Sequence, residues 1–275
     1  MDIPEENVNF GLYREHTPIQ TYKLSGRAIF VKRDDLFAKP PAPPLAKLRG
    51  IRVLLRNEAS SGRRIVGCYQ TRVSNIGTAL SAACMEFPGL RCVVVYPQSK
   101  TYLKPFNIEQ VAALGGEMIA IRSNVLPICY AQAKKIVGSM DGRLLPFGME
   151  CHESINAIAA EAATVPVSLC CRGTLIVPCG SGVTLAGVLR GLPVKPRSII
   201  GVSSGRSVLN IEKCIRRYVD TSKLKIVAPS MPYDKFPLID CPFPVDPYYD
   251  LKAWKFLSDN VAQLVEPILF WNIGG

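Results

Sequence analysis

The sequence predicts an α/β protein in which strands alternate with helices around a parallel sheet. Residues 64–68 and 91–97 form short apolar strands, and helix-forming stretches follow both. The same order returns in the second half of the chain, with a strand over 173–178, a helix over 183–189 and a strand over 198–202. Strands that are apolar along their whole length are typical of parallel sheets, because helices cover both faces of such a sheet.

The other predicted elements complete this alternation. The segment from 221 to 248 contains six prolines, which predicts a long irregular surface loop near the functional site. The remaining predictions are helices over 77–84, 107–114, 153–163 and 251–265, and strands over 117–121 and 268–271.

The composition is that of an ordinary globular protein, with 48% hydrophobic and 20% charged residues. No run of 18 apolar residues predicts a membrane span, and the acidic residues 1–6 contain no apolar core of a signal peptide. The ten cysteines include no CxxC pair and no spacing typical of metal ligands. We therefore expect a cytoplasmic protein with free thiols, no membrane association and no metal site.

The charge is less ordinary, because 33 basic residues against 22 acidic ones give a net charge of +11. Such a surplus attracts polyanions. Seven basic residues and a single acid lie between positions 47 and 72. Among them Arg49, Arg52 and Arg56 are spaced to line one helix face. Two interpretations follow: a solvated basic surface, or a surface that meets the phosphate backbone of a nucleic acid beside the active site.

A glycine-rich turn indicates a phosphate site. Gly180, Ser181, Gly182, Val183 and Thr184 follow an apolar strand and open a helix. Glycine lets the backbone approach an oxyanion closely, and the first N–H groups of a helix are free to bind it. No Gly-Lys-Ser/Thr follows, so the turn is not a P-loop. A tight turn without a ligand is the alternative.

Lys47 is the candidate nucleophile. It stands where the proline stretch ends and a helix begins, so its charge faces the positive end of the helix dipole. That position lowers the pKa of the amine, which suits a lysine that forms an imine. The alternative is a solvated surface lysine.

These motifs resemble the pyridoxal-5′-phosphate (PLP) enzymes of fold type II, the tryptophan synthase β-like family. Residues 31–36 resemble the family's Lys-Arg-Asp-Asp/Glu-Leu segment, residues 46–50 are similar to Phe-Lys-x-Arg-Gly, and 179–187 are close to Gly-Ser-Gly-Gly-Thr-Leu-Ala-Gly. The resemblance implies PLP as cofactor, bound to Lys47 as a Schiff base, with its phosphate held at 180–184. It also implies two open, twisted, mostly parallel sheets with helices on both faces.

The same resemblance implies a domain organisation. We expect a larger cofactor-binding domain of residues 1–46 plus 148–275, a smaller domain of residues 47–147, and a homodimer.

Two late segments resemble one branch of the family, the aminocyclopropane-carboxylate (ACC) deaminases and D-cysteine desulfhydrases. Residues 246–253 resemble Asp-Pro-Val-Tyr-Thr-Gly-Lys-Ala, and 268–275 resemble Val-Leu-Phe-Ile-His-Thr-Gly-Gly. Tyr249 falls on the branch's active-site tyrosine and is expected to contact substrate and to take part in catalysis. Tyr233 is the candidate for a second active-site tyrosine. The branch's lysine motif aligns imperfectly here, so Lys39 is the alternative to Lys47.

Residues 72–77 resemble the family's substrate loop. In the family, the asparagine of this loop lies beside the cofactor ring and its neighbours hold the substrate carboxylate. Asn75 and Ser74 match these positions, and Ser74 is expected to take part in catalysis. Ile76 stands where the family has a histidine. Ile273 stands where it has a threonine that contacts the pyridine nitrogen, so Asn272 is the candidate for that contact.

Three functions follow from the resemblance. The first is a lyase or deaminase in which Lys47 acts as general base on a small amino acid. The second is a PLP enzyme acting on an amino-acid or aminoalkyl group attached to a nucleic-acid base, as in phage DNA hypermodification; it would then work in the host cytoplasm. The third is a non-catalytic PLP-binding protein.

Overall fold

The computed structural model describes residues 12–40, 42–98, 108–123, 125–228 and 231–274. The strands of these residues are β1 (Ile19–Leu24), β2 (Arg27–Arg33), β3 (Ile65–Tyr69), β4 (Arg91–Pro97), β5 (Glu117–Ile121), β6 (Arg143–Leu144), β7 (Thr174–Cys179), β8 (Ser198–Ser203), β9 (Leu224–Val227) and β10 (Ile268–Asn272). The α-helices are α1 (Leu48–Ser60), α2 (Ile76–Cys84), α3 (Ile108–Ala113), α4 (Leu126–Ser139), α5 (His152–Ala162), α6 (Val167–Cys170), α7 (Val183–Gly191), α8 (Val208–Arg216) and α9 (Asp250–Asn260).

The strands form two sheets. The six-stranded sheet has the order β1-β2-β10-β7-β8-β9, and the four-stranded sheet has the order β5-β4-β3-β6. All neighbouring strands are parallel except β1 and β2, which form an antiparallel pair. This confirms the predicted α/β class. The strands of the six-stranded sheet lie within residues 1–46 and 148–275, and those of the four-stranded sheet lie within residues 47–147. The bounds of the two domains stay a prediction.

Two predicted elements differ from the structure. The segment from 221 to 248 is not irregular throughout, because β9 pairs with β8 as an edge strand and buries Ile226 against the core. The final helix ends at Asn260 rather than 265 and continues as a short 3₁₀ turn. Several residues named in the predictions lie outside the described ranges, namely residues 1–6, Asn107, Pro229 and Gly275.

Helix α1 crosses α5 at close range. A Cβ atom on Gly50 would lie 2.8 Å from the Cα of Ser154, so only glycine fits at this crossing. Because α1 belongs to the core beneath the four-stranded sheet and α5 to the core of the six-stranded one, this crossing joins the two halves of the molecule. It also fixes the start of α1, where Lys47 stands.

A buried cluster of charges holds the first turn of α1. The Arg49 guanidinium lies 2.8 Å from an Asp34 carboxylate oxygen and 3.0 Å from a Glu161 carboxylate oxygen. Lys32 lies 2.5 Å from the other oxygen of Glu161, and Trp271 donates a 3.1 Å hydrogen bond to Asp34. All four charged side chains are at most 7% exposed. The cluster therefore connects α1 to β2, α5 and β10.

This arrangement corrects the prediction of a basic stripe on α1. Arg49 is buried among acids, and Arg52 pairs with Glu86 at 2.9 Å while its guanidinium lies 3.6 Å from the centre of the Tyr13 ring. Of the three predicted residues, only Arg56 is exposed. Neither a solvated face nor a phosphate-binding face can therefore be built from these three arginines.

The cysteines agree with the sequence prediction, because all ten are free thiols and most are buried. No helix of the described ranges has the length and apolar character needed to cross a membrane. Within the same ranges, no group of three or more metal-binding side chains lies close together.

We expect Glu161→Gln to lower the free energy of unfolding by about 3 kcal/mol, because it leaves Lys32 and Arg49 buried with too little negative charge. Urea denaturation measures this change. The control is Asp259→Asn, which breaks an exposed pair with Lys255 at 2.6 Å and should cost less than about 0.5 kcal/mol. Equal effects of the two substitutions would contradict a structural role for the buried cluster.

Candidate active site

A cavity of about 280 Å³ lies where strands of both sheets end. Its walls come from the residues that follow β3, β7, β8 and β10, together with the start of α1. In open α/β sheets, ligands bind at the carboxyl ends of the strands. The lining includes Lys47, Thr71, Ser74, Ile76, Leu126, Gly180, Ser181, Gly182, Val183, Thr184, Ser204, Gly205, Arg206, Tyr233, Tyr249 and Ile273.

Lys47 is the residue just before α1, and its side chain lines this cavity. Its amine lies 5.2 Å from the centre of the Tyr249 ring. Burial lowers the pKa of Lys47, while the carboxylates of Asp246 and Asp250 act in the opposite direction. The direction agrees with the sequence prediction, but burial rather than the helix dipole is the main cause. The alternative residue, Lys39, is exposed and is not part of the lining.

The sequence alone does not single out Asp246 as a site residue. One oxygen of its buried carboxylate accepts hydrogen bonds from the backbone N–H groups of Tyr248 (2.7 Å) and Tyr249 (2.8 Å). The other accepts a 2.9 Å bond from the Asn75 amide. Burial raises the pKa of Asp246, and these donors and Lys47 oppose the rise. The side chain thereby fixes the tyrosine segment to the substrate loop.

Asp250 performs a similar task at the end of β10. Its carboxylate accepts hydrogen bonds from the backbone N–H groups of Ile273 (3.0 Å), Gly274 (2.9 Å) and Asp246 (3.1 Å). Burial raises the pKa of Asp250 well above its usual range, and Asp246 raises it further. Both aspartates belong to residues 246–253, which resemble a family motif. That resemblance could have indicated them as site residues, but the sequence analysis assigns a function only to Tyr249 of this segment.

The two predicted tyrosines meet in the cavity. Their hydroxyl oxygens, of Tyr233 and Tyr249, are 2.6 Å apart, and the Tyr233 hydroxyl lies 3.3 Å from that of Thr71. Burial raises the pKa of both phenols. Neutral phenols in contact can pass a proton or orient a polar substrate group. The catalytic role of Tyr249 and the substrate contact of Tyr233 stay predictions.

The glycine-rich turn has the geometry of an anion site. Gly182 has φ of +99°, a left-handed conformation that favours glycine, and α7 begins at the next residue. A Cβ atom on Gly180 would lie 2.7 Å from the Tyr249 ring, so the turn must lack a side chain there. The N–H groups of Val183 and Thr184 have no acceptor within the helix, and that of Val183 donates a long 3.4 Å hydrogen bond to the Ser181 hydroxyl. The predicted phosphate site thus opens into the cavity that holds Lys47.

Two residues of the predicted substrate loop line the cavity, and the residue between them does not. Ser74 and Ile76 line the cavity, and the Ser74 hydroxyl accepts a 3.3 Å hydrogen bond from the Ile76 N–H. Asn75 is buried behind them and donates to Asp246. The loop therefore presents one hydroxyl and one apolar side chain to the cavity, and the substrate contacts of these residues stay predictions.

The structure does not support the cofactor contact predicted for Asn272. Its side chain is fully buried outside the cavity lining, and its amide donates to the carbonyl oxygen of Pro244 at 2.9 Å. Successive side chains of a strand point to opposite faces. Ile273, the next residue, lines the cavity instead.

Lys252 is a further residue of the site region that the sequence does not single out. It is buried, and its amine donates to the carbonyl oxygens of Ser204 (2.7 Å), Pro232 (2.9 Å) and Tyr233 (3.1 Å). It therefore holds two segments of the cavity wall together. Burial lowers the pKa of Lys252 to about 8.

Fold and cavity together fit a class of enzyme that uses PLP, since a buried amine of lowered pKa and a glycine-rich turn at a helix start share one cavity. The chain belongs to the family of pyridoxal-phosphate dependent enzymes, whose pattern matches residues 13–237. The chain is 32% identical over 281 residues to the glycyl-dTMP PLP-dependent decarboxylase of Pseudomonas phage M6, covering 94% of this chain and 98% of that protein.

Solved structures confirm the fold. A structure of an ACC deaminase homologue covers 96% of this chain and 90% of its own, with a TM-score of 0.76 and 22% identity. The O-acetylserine dependent cystathionine β-synthase of Helicobacter pylori covers 98% and 94%, with a TM-score of 0.68 and 17% identity. Both agree with the resemblance to fold type II enzymes. The family pattern and the phage relative, rather than these structures, show that the protein is a PLP-dependent enzyme.

We expect Lys47→Ala to abolish the covalent attachment of PLP. The visible absorbance band of the PLP-loaded protein should disappear, and borohydride reduction followed by peptide mass spectrometry of the wild type should find the cofactor on Lys47. Lys39→Ala is the matched control and should retain both signals. A band that survives in Lys47→Ala would show that another residue binds PLP.

We expect Lys252→Met to remove a pH-dependent part of the stability. The pKa of Lys252 is about 8 in the folded protein, below the roughly 10.4 of an unfolded chain. The unfolded chain therefore binds more protons between these values, and the Lys252 contribution to stability rises with pH across this window. Urea denaturation at several pH values should show the advantage of the wild type over Lys252→Met growing above pH 8.

The control for that series is Lys255→Met on the same helix, where the side chain is 40% exposed. Because it breaks only the exposed pair with Asp259, it should change the free energy of unfolding by less than about 0.5 kcal/mol. A difference between the wild type and Lys252→Met that shrinks above pH 8 would contradict the lowered pKa.

Proposed function

We propose that this enzyme uses PLP to remove the carboxylate, as carbon dioxide, from a glycyl-type amino acid attached to a thymidine nucleotide. The observation that carries the proposal is the apolar wall beside Lys47, where Ile76 and Ile273 stand in place of polar residues of the family. The similarity to a glycyl-dTMP decarboxylase over nearly the full length of both chains supports the substrate class.

The apolar wall favours loss of carbon dioxide. Bound PLP supplies an electron sink that lets a bond at the substrate's α-carbon break. Ile273 lies beside Lys47, since its carbonyl accepts a 3.0 Å hydrogen bond from the N–H of Ala46. A substrate carboxylate held at the substrate loop would lie next to Ile76, where the family has a histidine. There it loses hydration, whereas the departing carbon dioxide is neutral and loses little. The wall thus destabilises the ground state more than the transition state.

In the proposed reaction, Lys47 completes the final proton transfer. The bond from the α-carbon to the carboxylate breaks, its electron pair stays on the α-carbon, and that carbon then takes up a proton. Burial lowers the pKa of Lys47, which makes proton transfer from its ammonium form easier. Ser74 and the tyrosine pair present hydroxyl groups to the same space and can orient the substrate.

The nucleotide must extend toward solvent, because 280 Å³ is at the lower end of the volumes of ligand pockets. Two lining residues are exposed and mark the opening. They are Leu126, which is 41% exposed, and Gly205, which Arg206 follows in the chain. A substrate attached to a nucleic-acid base can therefore place its amino acid inside and its nucleotide at the opening.

The test is incubation of the PLP-loaded protein with glycyl-dTMP, followed by mass spectrometry. We expect the substrate to lose carbon dioxide and keep its amine, Lys47→Ala to be inactive, and free glycine to react far more slowly. Release of ammonia and a keto acid from free amino acids would instead support the deaminase function expected from the family branch.

Other expectations from the sequence stay proposals here. They are a homodimer, binding of nucleic acid by the basic surface, and a cytoplasmic location, which is the host cytoplasm for a phage protein. Light scattering measures the first, and DNA binding with a steep salt dependence would support the second.

A further inference from the structure

We propose that Arg206 binds a phosphate group of the nucleotide part of the substrate, an inference that rests on the proposed function. Arg206 lines the cavity, comes directly after the exposed Gly205 and follows β8. It belongs to neither the lysine motif nor the glycine-rich turn, and no family motif in the sequence includes it.

The turn that carries Arg206 is held rigidly. The Ser203 hydroxyl donates a 2.7 Å hydrogen bond to the Arg206 carbonyl and accepts a 3.1 Å bond from the N–H of Gly205. The Ser204 carbonyl accepts from Lys252 at 2.7 Å. The Arg206 guanidinium donates a 3.1 Å bond to the carbonyl of Ser181, which directs it along the cavity wall. A binding group on such a support is preorganised.

Arg206 also differs from other arginines in its charge environment. Arg49 and Arg52 pair with buried acids, and Arg72, near the cavity, pairs with Asp234 at 3.2 Å. Among the residues that the structure describes, no carboxylate forms a salt bridge with Arg206. Of the described lining residues, only Lys47 and Arg206 are cations, and Lys47 is needed for the cofactor.

An anion of the substrate is therefore the expected partner. The substrate carries two kinds, the carboxylate that leaves and the phosphate of the nucleotide. A guanidinium on the carboxylate would stabilise its charge in the ground state and slow its loss. A phosphate keeps its charge throughout the reaction, and the planar guanidinium can bind two of its oxygens. The cofactor's phosphate already has the N–H groups at the start of α7.

The experiment measures equilibrium binding of unreactive ligands to the PLP-loaded protein by calorimetry. The ligands are thymidine, dTMP and a single-stranded oligothymidylate. In the wild type we expect dTMP or the oligonucleotide to bind roughly 10-fold to 100-fold more tightly than thymidine, as for a charge-assisted hydrogen bond pair. The ligand with the larger gain shows whether the phosphate is a free monoester or part of a DNA strand.

Arg206→Gln should reduce this preference to about 1-fold to 2-fold, and Arg206→Lys should keep part of it, since lysine retains the charge but not the fork geometry. Arg190→Gln, an exposed arginine on α7, is the matched control and should keep the full preference. Circular dichroism checks the folding of each variant.

Two results would overturn the inference. One is an unchanged preference for dTMP and oligonucleotide over thymidine in both Arg206 variants. The other is weaker binding of PLP to apo Arg206→Gln with an unchanged phosphate preference, because Arg206 would then serve the cofactor. Since these ligands carry no glycyl group, an Arg206-dependent preference supports the phosphate site even if glycyl-dTMP is not decarboxylated, which would contradict only the proposed function.

Discussion

The active site depends on the buried guanidinium of Arg49, two residues after Lys47. Between Asp34 and Glu161 it attaches the first turn of α1 to the six-stranded sheet and to α5. Buried ions are expensive to desolvate, so the cluster is stable only in a geometry in which each charge keeps its partners. Because α1 cannot shift without separating these charges, Lys47 enters the cavity at a fixed position beside β10.

A second set of buried acids completes the opposite wall. Asp250 binds the backbone after β10, and Asp246 binds the tyrosine segment and the substrate loop. The two carboxylates thereby hold Ile273 and Tyr249 against the cavity. Their charge also favours the ammonium form of Lys47, while burial favours the neutral amine more strongly. The pKa of the lysine therefore reflects a balance between burial and these two carboxylates, while the Arg49 cluster fixes its position.

The sequence predicts the parts of this molecule that depend on local pattern. Apolar strands, the glycine turn at Gly182 and the lysine at a helix start are visible as short motifs, and each has its expected place. Contacts between distant segments are not visible in this way. Arg49 is buried because it pairs with Glu161, which the helical spacing of the arginines cannot predict. Asn272 is oriented by its hydrogen bond to Pro244, which the motif at the end of the chain cannot predict. The short strand β9 was not predicted, because the proline-rich sequence that follows it indicates an irregular loop.

The net charge of +11 illustrates the same difference between composition and structure. Arginines near the cavity are abundant, but a cation attracts a ligand only when no acid already neutralises it. Arg49, Arg52 and Arg72 have such acids, so their number says little about a partner. The relevant quantity is the uncompensated charge that lines the cavity. By that measure, the described lining carries one guanidinium without an acid, that of Arg206, in addition to the amine of Lys47. The proposed decarboxylation of a nucleotide-linked amino acid rests on this guanidinium and on the isoleucines of the lining.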